Sequence, residues 1–202
     1  MLLQQNIENV TNEFKLDLPG FQEFFIKGPV NLSELNIFQK ILLTSDGTLT
    51  EIIEAYISDN IHVVKLSEEL IQITADLLSL DIQKGKKVIN RKILLQGRSS
   101  SKNWLYAESV IVPDRLEVKF KDELMKSRRP IGKLWRKYKI ETFKEIIEYS
   151  RESAGQIADY FGINKEDSIL SRTYRVFSRQ KPIMMITEKF PESYYQFPVK
   201  RE

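Results

Sequence analysis

Apolar side chains along this chain recur every three to four positions up to about residue 58, and then at every second position for most of the remaining length. The helical period runs through "LSELNIFQKILLTSDGTLTEIIEAYISDN", residues 32–60, and predicts two helices broken at Asp46-Gly47. Thr48, followed three residues later by Glu51, has the spacing of a capping box for the second helix. So abrupt a start leaves the backbone N–H groups of Leu49 and Thr50 free to meet an anion. The strand period then predicts strands in "IHVVKLSEEL", "KKVINRKILLQG", "NWLYAESVIVP", "SILSRTYRVFS" and "PIMMITEKFP". Short connections at 97–103 and 179–181 make neighbouring strands antiparallel hairpins. "KFKDELMKS" and "SAGQIADYFG" have helical spacing, whereas "ETFKEIIEYSRES" has helical propensity among strands and is open between the two. The first thirty residues, with breaks at Pro19-Gly20 and Gly28-Pro29, suggest a helical or irregular wrap over 1–33. The fold class expected is α+β: a single antiparallel sheet flanked by helices, with the main domain over 34–195 and a tail over 196–202.

Three charges break the alternation. Glu188 lies in phase with Met184, Ile186 and Phe190, on the apolar side of its strand. Arg91 shares phase with Ile89, Ile93 and Leu95, and Arg172 with Leu170, Tyr174 and Val176. A charge directed into a core needs a partner. One reading is an internal ion pair, Arg91–Glu188 or Arg172–Glu188. The other places the charges around a pocket, with partners on a ligand that carries a carboxylate for the guanidinium and a hydroxyl for Glu188.

Composition narrows the chemistry. The 202 residues favour one domain, and 42% hydrophobic with 29% charged residues is ordinary for a globular protein. There is no cysteine and one histidine, so zinc and iron–sulfur centres, cysteine nucleophiles and disulfides drop out, and no metal site is expected. His62, in the strand-like "NIHVVKL" with no evident serine partner, reads as structural. The opening "MLLQQNIENV" lacks the basic and apolar regions of a secretory signal, and no stretch approaches the length of a membrane helix. A cytoplasmic or equivalent location is therefore expected, without a membrane partner. The net charge of +3 is concentrated in "KSRRPIGKLWRKYK", residues 126–139, seven of whose fourteen residues are basic. That segment admits three readings: attraction of a small anion, nucleic-acid contact, or a solvated basic face. No recognition motif supports the second.

The ordered set "LLTSDGTLTEIIEAY", "VINRKILLQG", "WLYAESVIVP", "RRPIGKLW" and "PIMMITEKFP" resembles the chorismate pyruvate-lyases, and more closely their type 2 branch, which has mycobacterial, archaeal and plastid members. The resemblance runs from about residue 34 to 195. It implies an antiparallel sheet with helices around an enclosed ligand cavity, and conversion of chorismate to 4-hydroxybenzoate and pyruvate without metal or organic cofactor. It also implies roles. Arg91 would grip the ring carboxylate and Glu188 would meet the ring hydroxyl. Backbone N–H groups at Leu49 and Ile131, the latter in a "P-[LI]-G" turn, would complete the carboxylate cradle. Arg172 is the candidate for the enolpyruvyl carboxylate. The serine-rich "GRSSSKN" hairpin is longer than in the bacterial ubiquinone-pathway enzymes, which bears on how the cavity is covered. The expected partner is a small-molecule substrate, with no nucleic acid, in cytoplasm or in plastid stroma for a plastid-encoded chain. The alternative on the same fold is a non-catalytic sensor of small aromatic acids.

Overall fold

Six long runs rich in β-branched and aromatic residues pair edge to edge into one antiparallel sheet in the computed structural model, which describes residues 28–196. The wrap and tail expected at the two ends lie almost wholly outside the described residues. The strands are β1 (Gly28–Pro29), β2 (Ile61–Gln72), β3 (Lys87–Gly97), β4 (Asn103–Ile111), β5 (Phe143–Ser153), β6 (Ser168–Ser178) and β7 (Lys181–Pro191). Their order across the sheet is β1-β5-β6-β7-β4-β3-β2. β6 and β7 are joined by a two-residue turn in which Arg179 and Gln180 both have positive φ, the hairpin geometry whose twist matches that of the strands. The connection from β4 to β5 crosses to the far half of the sheet and carries two helices on the way.

Helices α1 (Ile37–Thr44), α2 (Leu49–Ile57), α3 (Val118–Lys126) and α4 (Ile131–Tyr138) cover one face. Leu42, Leu43, Leu49 and Ile53 of α1 and α2 pack on Leu95, Leu105, Leu170 and Phe190 of the sheet. Phe120 and Leu124 of α3, with Leu134 and Trp135 of α4, pack on Ile111, Val176, Met184 and Ile186. The other face is covered at one end by the 73–82 segment and at the other by a 3₁₀ turn, Gly155–Ile157, leading into the single-turn helix α5 (Ala158–Phe161). The sheet is thus apolar on both sides, and its polar positions on the helix side stand out.

One open reading is resolved and three local features depart from expectation. "ETFKEIIEYSRES" is β5, because a full antiparallel partner in β6 outweighs a modest helix propensity. "RRPIGKLW" is more than a turn: Pro130 occupies the cap position and α4 begins at Ile131. "SAGQIADYFG" makes only the 3₁₀ turn and the four residues of α5. The capping box is found at α1, where Asn36 and Gln39 exchange hydrogen bonds, while Thr48 makes no side-chain cap and Glu51 reaches Arg136 instead. Among the described residues, no helix is long and apolar enough to cross a membrane.

Candidate functional site

Strand pairing aligns the misplaced charges in two neighbouring rows on the helix-covered face. One row runs Glu68, Arg91, Ser109, Ile186, Tyr174 across β2, β3, β4, β7 and β6. The next runs Lys65, Ile93, Ala107, Glu188, Arg172, ending on Tyr149 of β5. Residues in register share a face, so Arg91 and Glu188 point to the same side, two strands apart.

Glu188 is 8% exposed and Arg172 only 1%. Arg172 Nε donates to Glu188 Oε2 at 2.7 Å, and Tyr174 Oη donates to Glu188 Oε1 at 3.1 Å. Of the two ion pairs considered for Glu188, the structure therefore contains the one with Arg172. The arginine is itself anchored: Nη1 donates to the carbonyls of Ser45 at 2.7 Å and Leu43 at 3.3 Å, where α1 ends. Its Nη2 is buried with no hydrogen-bond partner. Burial, the largest single influence, lowers the Arg172 pKa, but Glu188 together with Tyr174 and Tyr149 outweighs it, so the guanidinium pKa is raised. Burial, reinforced by Glu188, raises the Tyr174 hydroxyl well above the usual tyrosine range and keeps it a donor.

Glu188 lines a cavity with Leu49, Thr50, Ile131, Gly132, Trp135, Lys144, Tyr174, Val176 and Ile186. Two helix starts converge here. Thr48, ahead of α2, and Gly132, in the first turn of α4, are in such close contact that a Cβ at Gly132 would lie 2.3 Å from Thr48 Cγ2. Neither start has a side-chain cap, and the N–H groups of Leu49, Thr50, Ile131 and Gly132 have no backbone acceptor in the preceding loop. Both positive helix ends thus border the cavity. Lys144 donates to the carbonyls of Asp46 at 2.7 Å and Gly47 at 2.8 Å, pinning the loop before α2 to the sheet. Burial lowers its pKa, with Glu188 opposing that effect. The cavity measures about 30 Å³.

Arg91 does not line this cavity. It is 3% exposed and its Nε lies 3.2 Å from Glu68 Oε2 on the neighbouring strand, near enough for charge attraction but not aligned as a hydrogen bond. Its Nη2 is also buried without an acceptor. The sequence-expected residues therefore form one group of Glu188, Arg172, Leu49 and Ile131, with Arg91 on the same face beyond Ala107 and Ser109. Three further residues belong with them. Tyr174 is visible in the sequence only as an apolar-phase neighbour of Arg172. Lys144 is obscured by the ambiguity of β5 between helix and strand. Glu68 is hidden by the register shift between Lys65 and Ser67, which puts Lys65 and Glu68, three residues apart, on one face and breaks the period of two.

Four of the seven basic residues at 126–139, Arg129, Lys133, Arg136 and Lys137, are paired with three carboxylates. Lys133 reaches Glu54 at 2.6 Å, Arg136 reaches Glu51 at 2.5 Å, and Lys137 and Tyr138 both reach Glu123. These pairs fasten α4 to α2 and α3. The serine-rich hairpin is fastened too, Asp59 accepting from the N–H groups of Ser99 and Ser100, and none of its residues lines the cavity. His62 lies on β2 opposite Gln96, away from Glu188 in the pairing scheme.

The family model for Rv2949c-like chorismate pyruvate-lyases matches residues 43–197. The chorismate pyruvate-lyase of Mycobacterium tuberculosis (strain ATCC 25618 / H37Rv) is 31% identical over 170 residues, 82% of this chain and 85% of that protein. The one from Mycobacterium leprae is 29% identical over 164 residues, covering 81% and 78%. Among solved structures, the effector domain of PhnF from Mycobacterium smegmatis superposes with a TM-score of 0.59 at 11% identity, covering 79% of this chain and 98% of that one. The C-terminal domain of the histidine utilization repressor from Pseudomonas syringae gives a TM-score of 0.52 at 11% identity, covering 71% and 99%. At such identity these structures speak for the fold, which is the chorismate lyase-like α+β fold expected from the sequence.

Proposed function

The chain belongs to the chorismate pyruvate-lyase family, and we propose that it eliminates pyruvate from chorismate to leave 4-hydroxybenzoate. The observation that carries this reading is the charge pattern on the helix-covered face. Two buried arginines, Arg91 and Arg172, each keep an Nη2 with no acceptor, and the carboxylate of Glu188 lies between them in the strand order. Chorismate offers the complement: a ring carboxylate, a second carboxylate on the enolpyruvyl ether, and a ring hydroxyl.

In this reading Arg91, with the N–H groups of Leu49 and Ile131, takes the ring carboxylate. Arg172 Nη2 takes the enolpyruvyl carboxylate, and Glu188 accepts from the hydroxyl. The ether C–O bond breaks as the neighbouring ring carbon, which bears the hydroxyl, loses its proton. The ring becomes aromatic, and the departing enolpyruvate is protonated at carbon to pyruvate. Aromatisation supplies much of the driving force, so the protein's task is to orient the substrate, shield it from water and stabilise developing charge. Glu188, which accepts hydrogen bonds from Arg172 and Tyr174, would then act on the hydroxyl-bearing carbon. No step calls on a metal or an organic cofactor.

The test is to incubate the purified protein with chorismate and follow 4-hydroxybenzoate and pyruvate together, beside Arg91→Ala. Equal amounts of both products, lost in a folded variant, support the lyase. Binding of 4-hydroxybenzoate without turnover leaves a sensor, and neither binding nor turnover returns the buried charges to a purely structural role.

A further inference from the structure

Arg91 has an unusual counter-ion. Glu68 comes from the edge strand and is turned toward Arg91 by the register shift at Leu66. Its Oε1 accepts from Lys65 Nζ at 3.0 Å, and the same ammonium donates to the carbonyl of Met125 in α3. Glu68 is thus held by Lys65 on one side while its Oε2 faces Arg91 on the other. A pair serving only the fold satisfies its hydrogen bonds when buried. Here Arg91 Nε, Arg91 Nη2 and Glu68 Oε2 all lack one. Burial lowers the Arg91 pKa and the charge of Glu68 opposes that effect, so Glu68 supports the cation without using its donors.

We propose that Glu68 is an affinity-setting residue of the active site: lying against the Arg91 guanidinium, it repels any carboxylate bound to the same group, so that an aromatic acid product is held loosely enough to leave. This rests on Arg91 being the ring-carboxylate ligand, as proposed above. Both carboxylates would lie against one buried cation, where screening by water is weak. Glu68 therefore acts on the charge of the ligand and not on its shape.

Calorimetric titration with 4-hydroxybenzoate and with its neutral amide, 4-hydroxybenzamide, tests this in the wild type, Glu68→Gln and Arg91→Ala. Glu68→Gln is expected to bind the acid about tenfold more tightly and the amide with little change. In progress curves, product inhibition should set in at correspondingly lower concentration. Unchanged or weaker acid binding in Glu68→Gln, with binding lost in Arg91→Ala, overturns the role of Glu68 and leaves that of Arg91 standing. Wild-type affinity in Arg91→Ala, or no acid binding by the wild type, overturns the underlying assignment instead. Should Glu68→Gln fail to fold, Glu68→Asp retains the charge one methylene further from Arg91. It is expected to bind the acid several-fold more tightly, and no change there overturns the proposal.

Discussion

Arg172 couples the end of α1 to the carboxylate on β7, and its removal would leave Glu188 buried with the Tyr174 hydroxyl as its remaining hydrogen-bond donor. Arg172→Ala is expected to destabilise the protein by about 3–5 kcal/mol, the usual cost of breaking a buried pair from one side. Adding Glu188→Gln should recover part of that loss, because the stranded charge is then gone. Urea unfolding of the two single variants and the double variant reads this directly, and strictly additive losses would refute the coupling. In catalysis, Glu188→Gln keeps the shape and a hydrogen-bond acceptor while removing basicity. Turnover that survives it would reduce Glu188 to an anchor for the hydroxyl; its loss with product binding retained would favour a base. The buried tyrosines add a pH dependence. Burial raises both Tyr174 and Tyr195 well above the ordinary value, so their stabilising contribution is complete below about pH 10 and is lost as pH climbs toward their folded-state values. Thermal unfolding should show stability falling above about pH 10, and Tyr174→Phe should flatten that fall. An equally steep decline in the variant would place its origin elsewhere.

The junction of α2 and α4 is where elements become a site. Gly132 is needed because Thr48 occupies the space its Cβ would take, at 2.3 Å from Cγ2, whereas Thr48 Cβ and Oγ1 are both 3.3 Å away. Gly132→Ala should therefore cost about 1–3 kcal/mol through overpacking and spread the two helix starts. Thr48→Ser, which deletes the offending methyl, should rescue most of that loss. A double-mutant cycle by denaturation, repeated with 4-hydroxybenzoate titration, would separate a packing defect from a displaced cradle. Much of this level is legible in the sequence. Both α1 and α2, five strands and the inward phase of Arg91, Arg172 and Glu188 follow from periodicity alone, because a residue's face is a local property wherever the strand is regular. Where a strand is irregular, phase misleads. The shift at Leu66 conceals Glu68, and a second shift between Ile146 and Glu148 lies in the segment whose sequence is ambiguous between helix and strand. Partner choice is not local either: pairing Glu188 with Arg172 instead of Arg91 is decided by β6 lying next to β7 while β4 separates β7 from β3.

At the scale of the whole molecule, the cavity and the proposed substrate disagree in size. About 30 Å³ separates the groups around Glu188, whereas a cavity of roughly 150 Å³ accommodates one benzene ring. Something must yield when a ring enters, and the described structure indicates what. Six long strands hydrogen-bonded side by side in one antiparallel sheet form a stiff floor. Above it, α2 and α4 are tied to each other by Lys133–Glu54 and Arg136–Glu51, so they are expected to shift together. At the cavity, the loop before α2 is tied to the sheet by Lys144 through the Asp46 and Gly47 carbonyls, while α4 rests on it through Leu134 and Trp135. Hydrogen exchange should accordingly show low protection at 46–50 and 131–133, rising when 4-hydroxybenzoate binds, with β4, β6 and β7 changing little. Lys144→Met should speed exchange at 46–50 without lowering protection in the sheet. Protection gained chiefly in β4 and β7 instead would mean that the sheet opens to admit the ring, and the paired helices would not be the moving part.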